Sequence, residues 1–299
     1  VESGEWREGN GEWGVVGSPN ARVGEWGMGR GILVKSKLKM NKHLLCGLLM
    51  VIPFFSVFAR QSDTIRITEK DINTSVLKEG THRYLVYFKQ GKDKPRRDVQ
   101  FWTRSIERKQ WNGKPALAIT QVWEYKDTIN HTVYSVCDAG TMRPLFHEFW
   151  WKQRDSVQVD FTKGSILINK QPVTAADTLK QRATIWQAFD SVRNSFILNW
   201  HLDLEVFPTL PFREGVTFVI PFYDPGLAFP AKQVAYRVTG SAQLTGYDDQ
   251  PIDCWLLQHE DAGNREIFWI SKKTREVLKL EQDINGRMFR YKIKLAYSN

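Results

Sequence analysis

The sequence predicts a mainly β fold: a curved antiparallel sheet, or half-open barrel, wrapped around one long α-helix. Three observations lead there. Several runs alternate apolar and polar residues with period two, which is the mark of half-buried strands. Turn dipeptides separate those runs, Asn112-Gly113 and Asn285-Gly286 foremost, because both central residues of a type I′ hairpin turn need positive φ. One segment, near 178–200, carries a helical period instead. Its Ile185, Phe189, Val192 and Phe196 recur at spacings of four, three and four and so line one helix face. A single helix cannot leave that face in water, so the sheet is its partner.

The chain has 299 residues, 42% of them hydrophobic and 13% aromatic, ample for a packed core. Residues 1–39 are rich in glycine, repeat Gly-Glu-Trp from Gly4, Gly11 and Gly24, and show no helix or strand period. They read as a disordered, non-native upstream extension and take no part in the fold reasoning. After Met40, Lys42 and His43 lead into the apolar run 44–58, which closes on Ser56-Val57-Phe58-Ala59. A basic start, a short apolar run and small residues at the cut mark 40–59 as a secretory signal peptide. The run is short for a hydrocarbon core of about 30 Å, and Pro53 interrupts it. Export follows as the expectation, to the periplasm or to an outer-membrane-associated position. Residues 60–299 are then one β-rich domain.

Within that domain strands are expected from 63 to 170. Leu117, Ile119 and Trp123 share one face of 116–125, and Val157, Val159 and Phe161 share one face of the next clear run. The helix follows, with Asp177 as its cap and Pro208 and Pro211 beyond it. Strands resume from 216. Val234, Tyr236 and Val238 share a face, and Phe289, Tyr291, Ile293, Leu295 and Tyr297 alternate with Arg290, Lys292 and Lys294. That last pattern predicts the apolar set in the core and the cations in water. Pro221 assigns its apolar run to an edge strand or a strand end. Pro225-Gly226 is a turn, and the apolar 227–230 after it reads as a lid or as a packed connection.

The chain is basic, with a net charge of +9. Its cations are spread along strand-like sequence rather than gathered on one patch, so no nucleic-acid partner is expected. Gly-x-Ser-x-Gly, His-Glu-x-x-His and a phosphate-cradling glycine loop are all missing, so no catalytic residue, cofactor or metal is assigned and the protein is not expected to be an enzyme. His147 and Glu148 are strand neighbours and point to opposite faces. His201, Asp203 and Glu205 form the best acid–base starting point, yet read first as a helix exit with solvated charges. Cys137 and Cys254 leave two readings open, a disulfide in an oxidising compartment or two buried thiols. The aromatic side chains Trp102, Trp123, Trp151, Phe189, Phe196, Trp200, Phe222, Trp255 and Trp269 are the candidates for lining an apolar cavity. Since Trp150 and Trp151 are adjacent on a strand, one of them faces outward.

The run Phe268-Trp269-Ile270-Ser271, the turn Lys273-Thr274-Arg275, the strand Val277-Leu278-Lys279-Leu280-Glu281 and the Asn285-Gly286 hairpin resemble the closing strands of the periplasmic lipoprotein-carrier superfamily, LolA and LolB among them. Thr239-Gly240 through Cys254-Trp255-Leu256-Leu257 is similar to the preceding strands of uncharacterised exported relatives. The likeness covers mainly 230–297. It implies a half-barrel sheet with helix over its mouth and an apolar or lipid-like ligand inside, with peripheral contact to membrane or envelope. No arginine here is matched to the carriers' ligand-handling residue, and 200–230 has no counterpart. The other reading is an envelope structural or glycan- or protein-interaction domain with a fully packed core.

Overall fold

The computed structural model describes residues 63–152, 154–246 and 248–296. The expected extension 1–39 and signal peptide 40–59 lie outside the described residues. The first strands are β1 (Thr64–Arg66), β2 (Gly80–Lys89), β3 (Arg97–Trp111), β4 (Lys114–Tyr125) and β5 (Thr128–Asp138). Next come β6 (Pro144–Trp151), β7 (Ser156–Asp160), β8 (Ser165–Ile168) and β9 (Gln171–Val173). Helix α1 (Lys180–Asp190), β10 (Leu198–Asn199) and the single turn α2 (Asp203–Val206) separate the two strand blocks. The second block is β11 (Thr217–Tyr223), β12 (Lys232–Thr245), β13 (Pro251–Asp261), β14 (Asn264–Ser271), β15 (Val277–Ile284) and β16 (Met288–Lys294).

All sixteen belong to one sheet, in the order β1-β11-β12-β13-β14-β15-β16-β2-β3-β4-β5-β6-β7-β8-β9, with β10 beside β11. The strands β2–β9 and β11–β16 are each a meander, and β1 runs parallel to β11. The last strand, β16, runs antiparallel to β2 and welds the blocks together, with Lys292 opposite Val86 and Lys294 opposite Tyr84. The sheet is open, since β1 and β9 are its two ends. Both predicted type I′ turns form: Asn112 and Gly113 have φ of 50° and 76°, and Asn285 and Gly286 of 55° and 66°. Pro221 is tolerated for a local reason. β1 pairs with β11 at Thr217–Val219 and β10 at Phe222–Tyr223, so the proline falls in the gap where no partner needs its missing N–H.

The sheet buries one continuous face. Side chains on it from β2–β5 and β11–β15 form the main core, with Trp102, Ile119, Phe218, Tyr236 and Phe268 among them. A second cluster of Val133, Phe149, Val159, Ile166 and Val173 packs under α1 through Ile185, Ala188 and Phe189. The turn at Pro225-Gly226 closes on this cluster. A Cβ on Gly226 would stand 2.4 Å from Val157 Cγ1, and φ there is +85°, so only glycine lets the backbone come so near. Leu227 and Ala228 pack against the same cluster, which makes 227–230 a packed connection.

Three expectations are corrected. The long helix over 178–200 is not formed. α1 ends at Asp190, and beyond a polar turn Leu198 and Asn199 pair with β11 instead. Ser191, Asn194 and Ser195 supply little helix propensity, and the ladder bonds of β10 replace those the helix would make. Asp177 does not cap α1 either: it accepts from Thr174 N at 2.7 Å and pairs with Arg182 at 2.7 Å. Third, β16 is turned over. Arg290, Lys292 and Lys294 are buried at 9%, 5% and 6% exposure, while Phe289, Tyr291 and Ile293 lie half-buried on the outer face. The disulfide reading also fails. Cys137 and Cys254 are free buried thiols on β5 and β13, which are held apart in the sheet by six other strands. Burial pushes the Cys254 thiol up to about 11 and Cys137 higher still.

Candidate functional site

The concave face is filled by an irregular segment, residues 198–210. It consists of β10, a 3-10 turn at Trp200–Leu202, the four residues of α2, and a second 3-10 turn at Phe207–Thr209. Turns this short have little stability of their own, so the sheet must hold them. Leu202, Leu204, Val206, Phe207 and Leu210 are each at most 4% exposed. Phe207 sits edge-on to Phe268 at 4.7 Å and tilted against Tyr236 at 4.8 Å. The far end is tied by Arg275, which donates to the carbonyls of Pro208 and Leu210.

Charge holds the middle of the plug. Arg104 of β3 is 1% exposed. Its Nε donates to Glu205 Oε1 at 2.7 Å and its Nη2 to Glu205 Oε2 at 2.5 Å, a two-pronged pair. Nη1 donates to Gln121 Oε1 at 2.9 Å, and Nη2 also reaches the His201 carbonyl at 2.8 Å. Burial alone would lower the arginine's pKa, but Glu205 outweighs it and holds the guanidinium charged. Lys292 of β16 points at the same turn. Its Nζ lies 3.6 Å from Asp203 Oδ2 and 4.5 Å above the Trp102 ring. Farther along, Lys294 pairs with Glu276 and meets His82 Nδ1 at 2.9 Å. A cavity of about 30 Å³ opens here between plug and sheet, lined by His82, Tyr84, Glu205, Glu276 and Lys294 among others. His201, Asp203 and Glu205 are therefore not solvated charges at a helix exit. Glu205 is buried and Asp203 half-buried against cations that come from the sheet, and half-buried His201 faces Asp224.

Three imidazoles flank the near end of the plug. Asn199 fixes His147: the Asn199 Oδ1 accepts from His201 N at 3.0 Å, so its Nδ2 faces His147 Nδ1 at 2.9 Å. Ser135 Oγ approaches that nitrogen at 2.8 Å. Since the amide can only donate, Nδ1 is an acceptor and the neutral ring carries its proton on Nε2. His131 Nδ1 lies 2.9 Å from the Trp150 carbonyl, which can only accept, so this ring is protonated on Nδ1. Burial, then His201, drives His131 down to about 2 and His147 well below its ordinary value. His201 completes the group with Nε2 at 3.3 Å from Asp224 Oδ1. Among the described residues no group of three or more His, Cys, Asp or Glu is placed to hold a metal ion.

The aromatic candidates divide. Trp102 and Trp123 stack at 3.7 Å, and Trp151 meets Trp123 edge-on at 5.5 Å, so three are brought together beside Lys292. Trp200 stacks on Phe222 at 5.3 Å inside the plug region. Phe196 is half-buried at the margin of the main core, as is Trp255, which lies 6.3 Å from Phe212. Phe189 belongs to the separate cluster under α1. Trp269 follows inward-facing Phe268 on β14 and so lies on the outer face, under Lys279. Trp150, 39% exposed, is the outward member of its pair. The sequence reading missed Arg104, Gln121 and Lys292. A signal existed for two of them: Arg104 shares parity with Trp102 and Ile106, and Gln121 with Ile119 and Trp123, which puts polar side chains on core faces.

Among solved structures, the chain is similar to a β-barrel-like protein of the DUF1849 domain of unknown function from Brucella abortus. The match has 8% identity and a TM-score of 0.32, and covers 73% of this chain and 97% of that one. No curated protein matches the chain. The profile of DUF3108, a family described as proteins of unknown function, matches residues 83–294, from β2 to the end of β16, and the chain belongs to that family.

Proposed function

We propose that the domain is an exported binding or carrier module that takes an apolar, lipid-like molecule on the concave face of its sheet, and that residues 198–210 fill the site when it is empty. One observation carries the reading. The interior of the curved sheet is occupied by a string of one-turn helices rather than by a regular element, and such a string is held by its contacts, not by its own hydrogen bonds. The closed form has a cavity of about 30 Å³, room for water but far below the several hundred Å³ of an ordinary ligand pocket. In this reading the plug moves aside when a ligand binds between it and the sheet. Export is supported by the apolar run 44–58 and its basic lead.

The test is native mass spectrometry of the protein purified from the periplasm, with organic extraction of bound material. A co-purifying lipid is the expected result. A clean apo mass, together with no uptake of an apolar fluorescent probe, would overturn the proposal. It would favour an envelope-interaction domain with a packed core, for which the exposed Phe101, Ile129 and Trp150 at 46%, 47% and 39% supply a contact surface.

A further inference from the structure

The sheet supplies the cations of the interior, and the plug supplies the anions. Arg104 on β3 and Lys292 on β16 face the single turn α2, whose Glu205 and Asp203 answer them. Gln121 on β4 joins from the sheet side, giving its Oε1 to Arg104 and its Nε2 to the His201 carbonyl at 2.9 Å. A buried ion pair adds little stability over an apolar pair of the same volume, so folding alone does not call for one here. The plug has a second feature. Immediately beside its two carboxylates it carries a dense apolar body, with Phe207 and Leu210 both fully buried. Two acids at one end and an apolar chain behind them are the chemical outline of an anionic amphiphile.

We propose that residues 198–210 are an internal stand-in for the ligand, and that the ligand is a single-chain amphiphile with an oxyanion head, carboxylate or phosphate. Its head replaces Glu205 on Arg104 and Asp203 beside Lys292, and takes the Gln121 amide N–H that now goes to the His201 carbonyl. Its chain takes the place of Phe207 and Leu210 against Tyr236 and Phe268. This rests on the carrier reading above and adds the ligand's charge. The exchange is balanced because one oxyanion replaces another on a forked donor. An uncharged lipid that displaced Glu205 would leave Arg104 buried and unpaired, at a heavy penalty.

The test compares dodecanoate, dodecyl phosphate and 1-dodecanol as competitors of an uncharged apolar fluorophore, N-phenyl-1-naphthylamine, on the full domain. The two anions are expected to bind about tenfold or more tightly than the alcohol; their ranking tells carboxylate from phosphate. Glu205→Gln keeps the plug's shape but removes the competing charge and leaves one oxygen, in place of two, to accept from Arg104. It is expected to tighten the anions by a further factor of about ten and to leave the alcohol unchanged. Arg104→Gln is expected to abolish the preference, and a thermal melt shows whether it folds; if it does not, Glu205→Gln decides alone. Equal binding of acid and alcohol, unaltered by Glu205→Gln, overturns the inference and leaves the carrier reading standing. Tight anion binding that Glu205→Gln does not change places the anion elsewhere and also overturns it. Failure of the fluorophore and all three competitors to bind overturns both.

Discussion

Two segments cover the concave face, and they do so differently. Helix α1 lays Ile185, Ala188 and Phe189 on a cluster made of Val, Ile and Phe side chains. It is tied by packing, and its ion pairs, Arg182 with Asp177 and Asp190 with Arg193, join it to the chain on either side. The plug 198–210 buries as apolar a set but adds Asp203 and Glu205 against Arg104 and Lys292. Both elements solve the problem of covering a sheet, yet only the plug buries charge to do so. Apolar packing specifies that something fills a space, whereas buried charge specifies what, because each ion needs a particular partner. In the proposed reading, the difference makes α1 part of the scaffold and 198–210 part of the site.

That contrast can be broken or sharpened by substitution. The largest effects are expected at the two aromatic anchors. Phe189→Ala under α1 and Phe207→Ala in the plug should each cost about 3–5 kcal/mol in denaturant unfolding, since both are fully buried. Equal losses would show that the two covers are alike in packing and differ in charge alone. Next comes the ion pair. Glu205→Ala should cost at least about 3 kcal/mol by stranding Arg104, and the double change Arg104→Met with Glu205→Leu should recover most of it. A double variant no better than the single would show that the pair is needed for the fold itself.

Acid should affect the plug side first. His147 and His131 are held neutral, with pKa values below the unfolded value of about 6.5. Between the folded and unfolded pKa the unfolded chain binds more protons, so stability is complete above about pH 6.5 and falls as pH drops below it, by up to about 1.4 kcal/mol per pH unit for each ring. A proton on His147 Nδ1 would also oppose the Asn199 amide, so hydrogen exchange below pH 6.5 should rise at β10 before α1. Exchange that rises at α1 first would place the sensitive region elsewhere. The smallest effect is expected outside both covers: Trp150→Ser should change stability by no more than about 0.5 kcal/mol, because that ring faces outward.

Much of the fold was legible. Val234, Tyr236 and Val238 showed their shared core face by alternation, and the two Asn-Gly dipeptides showed their hairpins by the φ they require. The site was not legible to the same degree. Trp102, Trp123 and Trp151, expected to line an apolar cavity, meet one another, whereas Phe189 and Trp269, grouped with them, lie elsewhere. Aromatic identity reports a wish for burial, not the place where burial occurs. The helical period through Phe196 was misleading for a related reason. Spacing describes one face of a hypothetical helix, and the competing bonds offered by β11 are invisible to it.

Pattern along the chain was enough to show a strand-rich fold, the two Asn-Gly turns and the stretch that departs from the strand period, though not the 3-10 turns between Glu69 and Val76. The features it showed depend on near neighbours: steric limits at turns and the side-chain period along one chain. Only the tertiary structure decided that Arg290, Lys292 and Lys294 face inward and that 198–210 fills the sheet. The orientation of β16 turns on what lies opposite it. Lysine goes into a core when a carboxylate meets it there, and the carboxylates of Asp203 and Glu276 reach Lys292 and Lys294 from other elements. No pattern within β16 records them, because the energy of a buried charge belongs to the pair and not to the residue.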